Sequence, residues 1–286
     1  MAIHADGAPI DVTTLLRAAH TDRERPWLFV SPHLDDCVLS AGGTLAAAHR
    51  AGVRTVVATV CAGDPARPVE SPFARHLVGL WGLGADGPVA GRRAEDASAL
   101  REVGARPVHL PVPDAVFRTT PGGEPLYPTV ESVFAGAPRE DDPAVRDARR
   151  ELARVVSDLE PSLIIGPAGI GRHVDHVLVS TALTAVVGAG GPDLVFYEDL
   201  PYAATGSAEV AGRFPVPLSF TEADWEAKSA AAARYASQLP AVWPDTDALA
   251  ELRARAEVVG ARADLPAERL WCPERLWWAV QGHAAI

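Results

Sequence analysis

A chain of 286 residues, 48% hydrophobic and 22% charged, can bury a large core and is excluded from the disordered class by composition. The formal net charge of −11 and pI near 5.3, with Arg scattered among Asp and Glu, exclude the basic face of a nucleic-acid binder. No apolar run approaches the ~20 residues that span a bilayer, no basic-then-apolar leader opens the chain, and Cys37, Cys61 and Cys272 lack paired spacing. These features predict a soluble cytoplasmic protein with no membrane partner, no disulfide frame and no Cys-based zinc site.

In chain order, Trp27 to Val30 is a short apolar run between Pro26 and Pro32, a buried strand. A polar turn leads to a helix over 38–51 with Gly52 as its stop. Thr55 to Val60, β-branched and apolar, predicts a second strand. A helix over 92–103 ends at Gly104, and 108–112 reads as a third strand. An amphipathic helix over 144–159 precedes strand 163–165, then helix 174–187 and strand 194–197.

Apolar strands alternating with amphipathic helices predict right-handed βαβ units. The fold class is therefore α/β: a Rossmann-like, mostly parallel sheet with helices on both faces and the active site at the carboxyl ends of the strands. Residues 62–90 and 115–143, rich in Gly, Pro and acids, are longer than ordinary βα connections and read as walls of that site. Without a linker or repeat, residues 1–286 are expected to form one domain, those after about 200 making a smaller closing subdomain.

The chemistry gathers in two places. Ser31-Pro32-His33-Leu34-Asp35-Asp36-Cys37 follows the first strand, and Gly171-Arg172-His173-Val174-Asp175-His176 opens the 174–187 helix. Both emerge from the same sheet edge, bringing three imidazoles and three carboxylates within reach of one another. A catalytic zinc takes three such ligands and keeps one position for water; hydrolysis adds a base and an oxyanion donor. Singly, each residue could be a helix cap or dipole partner. Jointly, two strand-end loops each carrying His and Asp point to a divalent metal centre. A non-haem iron triad of two His and one carboxylate is the competing class, but its usual jelly-roll lacks this alternation. Nor does a G-x-G-x-x-G turn follow the first strand, as a dinucleotide site requires.

Pro32-His33-Leu34-Asp35-Asp36, Gly42-Gly43 and His173-Val174-Asp175-His176 resemble the LmbE/PIG-L family of zinc-dependent N-acetylglucosaminyl deacetylases. Arg92-Arg93-Ala94-Glu95, Leu110-Pro111-Val112-Pro113-Asp114, Glu198-Asp199-Leu200-Pro201-Tyr202, the stretch from Lys228 to Gln238 and Glu274-Arg275-Leu276-Trp277 support it. The resemblance implies His33, Asp36 and His176 as ligands of one Zn2+ per chain, with Fe2+ also accommodated. It implies Asp35 as general base, His173 as the group polarising the amide and holding the oxyanion, and Asp175 as the residue orienting the His173 ring. Arg92 and Asp114 would hold sugar hydroxyls. The implied reaction is hydrolysis of the acetamide of an N-acetyl amino sugar on a glycoside or glycosylated natural product. An amidase acting on a non-sugar or thiol-conjugate amide is the alternative, and a homo-oligomer is allowed. Departures are Leu34 for the usual Pro, Cys37 where many members carry Glu, and Gly171 where thiol-glycoside deacetylases carry an aromatic residue.

Overall fold

Successive residues of the central strands point to opposite faces, and the sequence fills both faces with apolar side chains. In the computed structural model, which describes residues 8–19, 22, 24–68, 71–83, 87–188, 190–205 and 209–282, these strands form one seven-stranded sheet. The elements in order are α1 (Val12–Ala18), β1 (Trp27–Ser31), α2 (Asp36–Arg50), β2 (Thr55–Thr59), α3 (Pro72–Trp81), α4 (Pro88–Glu102) and β3 (Arg106–His109). Then follow α5 (Val130–Val133), α6 (Ala144–Leu159), β4 (Leu163–Pro167), α7 (Val174–Val187) and β5 (Asp193–Tyr197). The chain closes with β6 (Arg213–Ser219), α8 (Glu222–Ala232), α9 (Leu239–Val242), α10 (Ala248–Gly260), β7 (Ala267–Pro273) and α11 (Glu274–Val280).

The sheet order is β3-β2-β1-β4-β5-β7-β6. From β3 to β5 all neighbours are parallel, and β7 runs antiparallel to both β5 and β6. Alternation along the strands divides the core cleanly. Trp27, Phe29, Val57, Leu163, Ile165, Val195 and Tyr197 face the layer holding α1, α2, α10 and α11. Leu28, Val30, Val56, Ile164, Leu194 and Phe196 face α6 and α7. Strand order reverses between β1 and β4, and that switch point is where an open α/β sheet leaves a crevice at its carboxyl edge.

Helices α6 and α7 span the residues that the sequence predicts. Other boundaries move for local reasons. Helix α2 starts at Asp36 rather than residue 38, and α4 starts at Pro88 rather than Arg92, proline being tolerated in a first helical turn. The third strand lies at Arg106–His109 rather than 108–112, because Pro111 and Pro113 have no N–H to donate to a ladder and make only isolated bridges.

The segments 62–90 and 115–143 contain α3, the start of α4, a 3-10 turn at Ala115–Phe117 and α5; positions 69–70 and 84–86 of the first lie outside the described residues. Trp81, Val89, Phe117, Leu126, Tyr127 and Val133 from these segments share a core with Leu34 and Val174, which belong to the two His-Asp loops. After residue 200 the chain adds β6 and β7 to the same sheet, and α8 lies along α2. Among the described residues no helix is long and apolar enough to cross a membrane.

Candidate metal centre

Strand β1 delivers the first loop to the switch point. There the Ser31 hydroxyl donates to the His33 carbonyl at 2.6 Å and accepts from the Cys37 N–H at 3.0 Å, tightening the turn into α2. Strand β4 delivers the second loop through Gly169, Gly171 and Arg172, all at positive φ. A Cβ on Gly171 would stand 2.3 Å from the Tyr202 ring, so backbone conformation and close approach both call for glycine there. His173 caps α7, and Asp175 and His176 occupy the helix's first turn.

His33 Nδ1 lies 3.0 Å from an Asp36 carboxylate oxygen, and His176 Nε2 lies 3.3 Å from the same oxygen. One ligand atom from each of His33, Asp36 and His176 falls within 4.8 Å of the other two, and all three residues are buried. The outer ring nitrogens are tied down. Asp199 holds His176 Nδ1 at 2.7 Å, and Asp175 holds His33 Nε2 at 3.0 Å. Each carboxylate fixes a tautomer and leaves the opposite nitrogen for the centre. His176 Nε2 is buried with no hydrogen-bond partner, an orphan that a cation would satisfy. His33, His173 and Asp175 form a second cluster of the same size. There, however, the Asp175 carboxylate is engaged by His33, the Ala115 N–H at 2.9 Å and the Arg118 guanidinium, so the first cluster suits a metal better.

The electrostatics agree. Burial opposes charge on His176, yet Asp36 and Asp199 raise its pKa to about 9. Burial likewise opposes charge on His33, and Asp114 and Asp36 overcome it and raise the value. Burial works against ionised Asp36, but His176 and His33 hold its carboxyl well below the usual range. A pocket that drives protons onto histidines carries the negative potential that favours a divalent cation. Asp35, next door, is pushed up to about 6 by burial and by the charge of Asp36. His173 is held well below its ordinary value by burial and by the neighbouring His33 and His176, so its ring is neutral.

Arg92 reaches in from α4. Its guanidinium lies 3.8 Å from Asp35, 3.7 Å from Asp114 and 4.6 Å above the Trp81 ring, with Nε buried and unpartnered. The fold therefore brings all eight residues singled out from the sequence to one centre. One assignment changes. The Asp175 peptide N–H, not its side chain, contacts the His173 ring, donating to Nδ1 at 3.2 Å. The Asp175 carboxylate turns to His33, because Ala115 and Arg118 draw it there. Cys37 packs into the core under α2 and joins no metal-holding cluster among the described residues.

Sequence reasoning assigned no role to Asp199 and Tyr202, which it marked only within the Glu198–Tyr202 stretch, and it missed Arg118 and Phe134. Asp199 sits just past β5, beside β4, so placing β5 next to β4 would have flagged it. Tyr202 stands edge-on to His176 at 5.6 Å, and Phe134, from a loop with no motif, stands edge-on to His173 at 5.2 Å.

Comparison with known proteins agrees with this geometry. Residues 28–187 match the family described as PIG-L, GlcNAc-PI de-N-acetylase. A 2'-N-acetylparomamine deacetylase of Streptomyces fradiae is 35% identical over 184 residues, 63% of this chain and 59% of that protein. Its counterpart in Niallia circulans is 32% identical over 190 residues, 63% of this chain and 68% of that one. Among solved structures, the zinc inhibited form of a teicoplanin deacetylase superposes with TM-score 0.76 at 29% identity, covering 86% of this chain and 97% of that chain. The chain belongs to the PIG-L family.

Proposed function

We propose that the protein is a metal-dependent N-deacetylase hydrolysing the acetamide of an N-acetyl amino sugar on a glycoside, glycosylated natural products included. The observation that carries this is the convergence of His33 Nδ1, Asp36 and the orphaned His176 Nε2 beside a second buried carboxylate, Asp35, that lies outside the cluster. The 2'-N-acetylparomamine deacetylases and the teicoplanin deacetylase among its relatives support the N-acetyl sugar reading. Zn2+, or another divalent ion such as Fe2+, would be held by His33, Asp36 and His176, and would supply Lewis acidity and make water a stronger acid.

The protein's own groups do the rest. Asp35, ionised above about pH 6, takes the proton of the attacking water and returns it to the leaving amine. The Asp175 N–H pointing into His173 Nδ1 places the ring proton on Nε2, which makes that nitrogen a donor for the developing oxyanion. Arg92, through its terminal guanidinium nitrogens, and Asp114 can offer a donor and an acceptor to sugar hydroxyls. The partner is a small molecule, and the chain acts as one domain with the part after about residue 200 as its closing portion, a reading supported by β6 and β7 extending the same sheet.

The test is acetate release from a panel of N-acetyl amino sugars, their glycosides, and non-sugar acetamides, with and without chelator. Chelator-sensitive release confined to the sugars supports the reading. Release that ignores chelator, or that favours the non-sugar amides, overturns it.

A further inference from the structure

We infer that Arg118 is a positioning residue for His33, acting through the carboxylate of Asp175; this rests on reading His33 as a metal ligand. Arg118 lies in the 115–143 segment, just after the 3-10 turn that follows Asp114, and carries no motif that marks it. One nitrogen of its guanidinium binds Asp175 Oδ1, and the other binds Asp142 Oδ2 at 2.6 Å. The free oxygen of Asp175 takes the Ala115 N–H at 2.9 Å and faces His33 Nε2 at 3.0 Å. Asp142 is anchored in turn by the Tyr127 hydroxyl at 2.8 Å and the Ala144 N–H at 2.9 Å, at the start of α6.

The result is a buried relay from the start of α6 to the first histidine of the centre. Arg118, Tyr127 and Asp142 are each at most 4% exposed, and Asp175 is fully buried. Water is excluded, so the direction of each group is set by its protein partners. Asp175 could turn towards either loop, being two residues after His173 and one before His176. Arg118 on one oxygen and the Ala115 N–H on the other leave it pointing at His33. Holding the proton of His33 on Nε2 leaves Nδ1 for the centre, the arrangement that outer-sphere carboxylates impose on ligating histidines. A guanidinium suits the task because its planar fork spans two carboxylates, which the single ammonium of lysine does not do in a fixed geometry.

The experiment measures zinc affinity of the full-length chain by chelator competition in wild type, Arg118→Lys and Asp142→Asn, with thermal unfolding and steady-state kinetics alongside. Lysine keeps the charge and loses the fork; Asp142→Asn leaves Asp175 untouched and loosens the far end of the relay. The expected result is zinc binding weakened about 10–100-fold in Arg118→Lys and less in Asp142→Asn. Turnover should fall while KM stays within about two-fold, since Arg118 is buried and reaches the centre through Asp175. A purely structural role would lower the unfolding temperature and leave the zinc affinity of the folded protein unchanged, and that outcome overturns the inference. If Arg118→Lys does not fold, unchanged zinc affinity in Asp142→Asn overturns it alone. Tight zinc binding by wild type with unaffected variants would sink only this inference. Absence of zinc binding by wild type would sink the metal-site reading, and this inference with it.

Discussion

Asp35 and Asp36 are neighbours in sequence, both buried, and their carboxyls are shifted in opposite directions. Burial raises both, so the partners decide: two imidazoles face Asp36, whereas Asp35 faces the Asp36 charge with Arg92 at 3.8 Å. Asp35→Asn should retain bound metal, since no ligand is lost, and lose about 10²–10⁴-fold in kcat, the range of a general base; metal analysis with steady-state rates checks both halves. The sign of the pH dependence follows from the raised pKa. A base works ionised, so kcat/KM should fall as pH drops below about 6, where Asp35 takes up a proton. A cation bound beside it stabilises the ionised form, placing the acid limb at or below that value. An acid limb above neutrality would remove Asp35 from the role.

At the scale of elements, α2 shows why the Gly42-Gly43 pair is present. The helix is kinked at Ala41, which frees N–H groups beyond it. Glu268 of β7 accepts from the Gly43 N–H at 2.9 Å and the Thr44 N–H at 2.8 Å, and Lys228 of α8 closes the pair at 2.7 Å. Phe220 packs so closely that a Cβ on Gly43 would lie 2.4 Å from its ring, and one on Gly42 would lie 2.9 Å from the Lys228 stem. Gly43→Ala gains up to about 1 kcal/mol of helix propensity and overpacks a filled site at a cost of about 1–3 kcal/mol. A net loss in urea unfolding is therefore expected, and a stabilised variant would show that the contact yields freely. The long segments show the same dependence on neighbours. Their composition marks them as unusual, but only the fold ties them to the site, through the core shared with Leu34 and Val174 and through Ala115, Arg118 and Phe134.

For the whole molecule, the centre bridges loops from β1 and β4, on either side of the point where strand order reverses. A cation held there should act as a tertiary clamp. Zinc at 100 times its Kd should stabilise the fold by about 2.7 kcal/mol, read as a raised unfolding temperature that chelator reverses. His176→Ala should lose both the zinc and the shift; wild-type zinc content in that variant would refute its place as ligand.

Local pattern determined much of this protein. Apolar runs with flanking prolines and glycines located β1, β2, β4 and β5, and 3.6-residue periodicity set α6, because those signals reside in consecutive residues. Two motifs at the ends of parallel strands likewise named His33, Asp35, Asp36, His173, Asp175 and His176, since βαβ handedness sends such loops to one edge. The division of roles among the six came from likeness to a family, not from spacing. The tertiary structure alone decided which carboxylate meets which imidazole: Asp199 on His176, and Asp175 on His33 rather than on His173. It alone placed Arg118, Tyr202 and Phe134, and set the third strand at Arg106–His109. A hydrogen bond between residues 23, 57 or 142 positions apart depends on how layers stack and where loops fold back, and leaves no trace in the spacing of neighbouring residues.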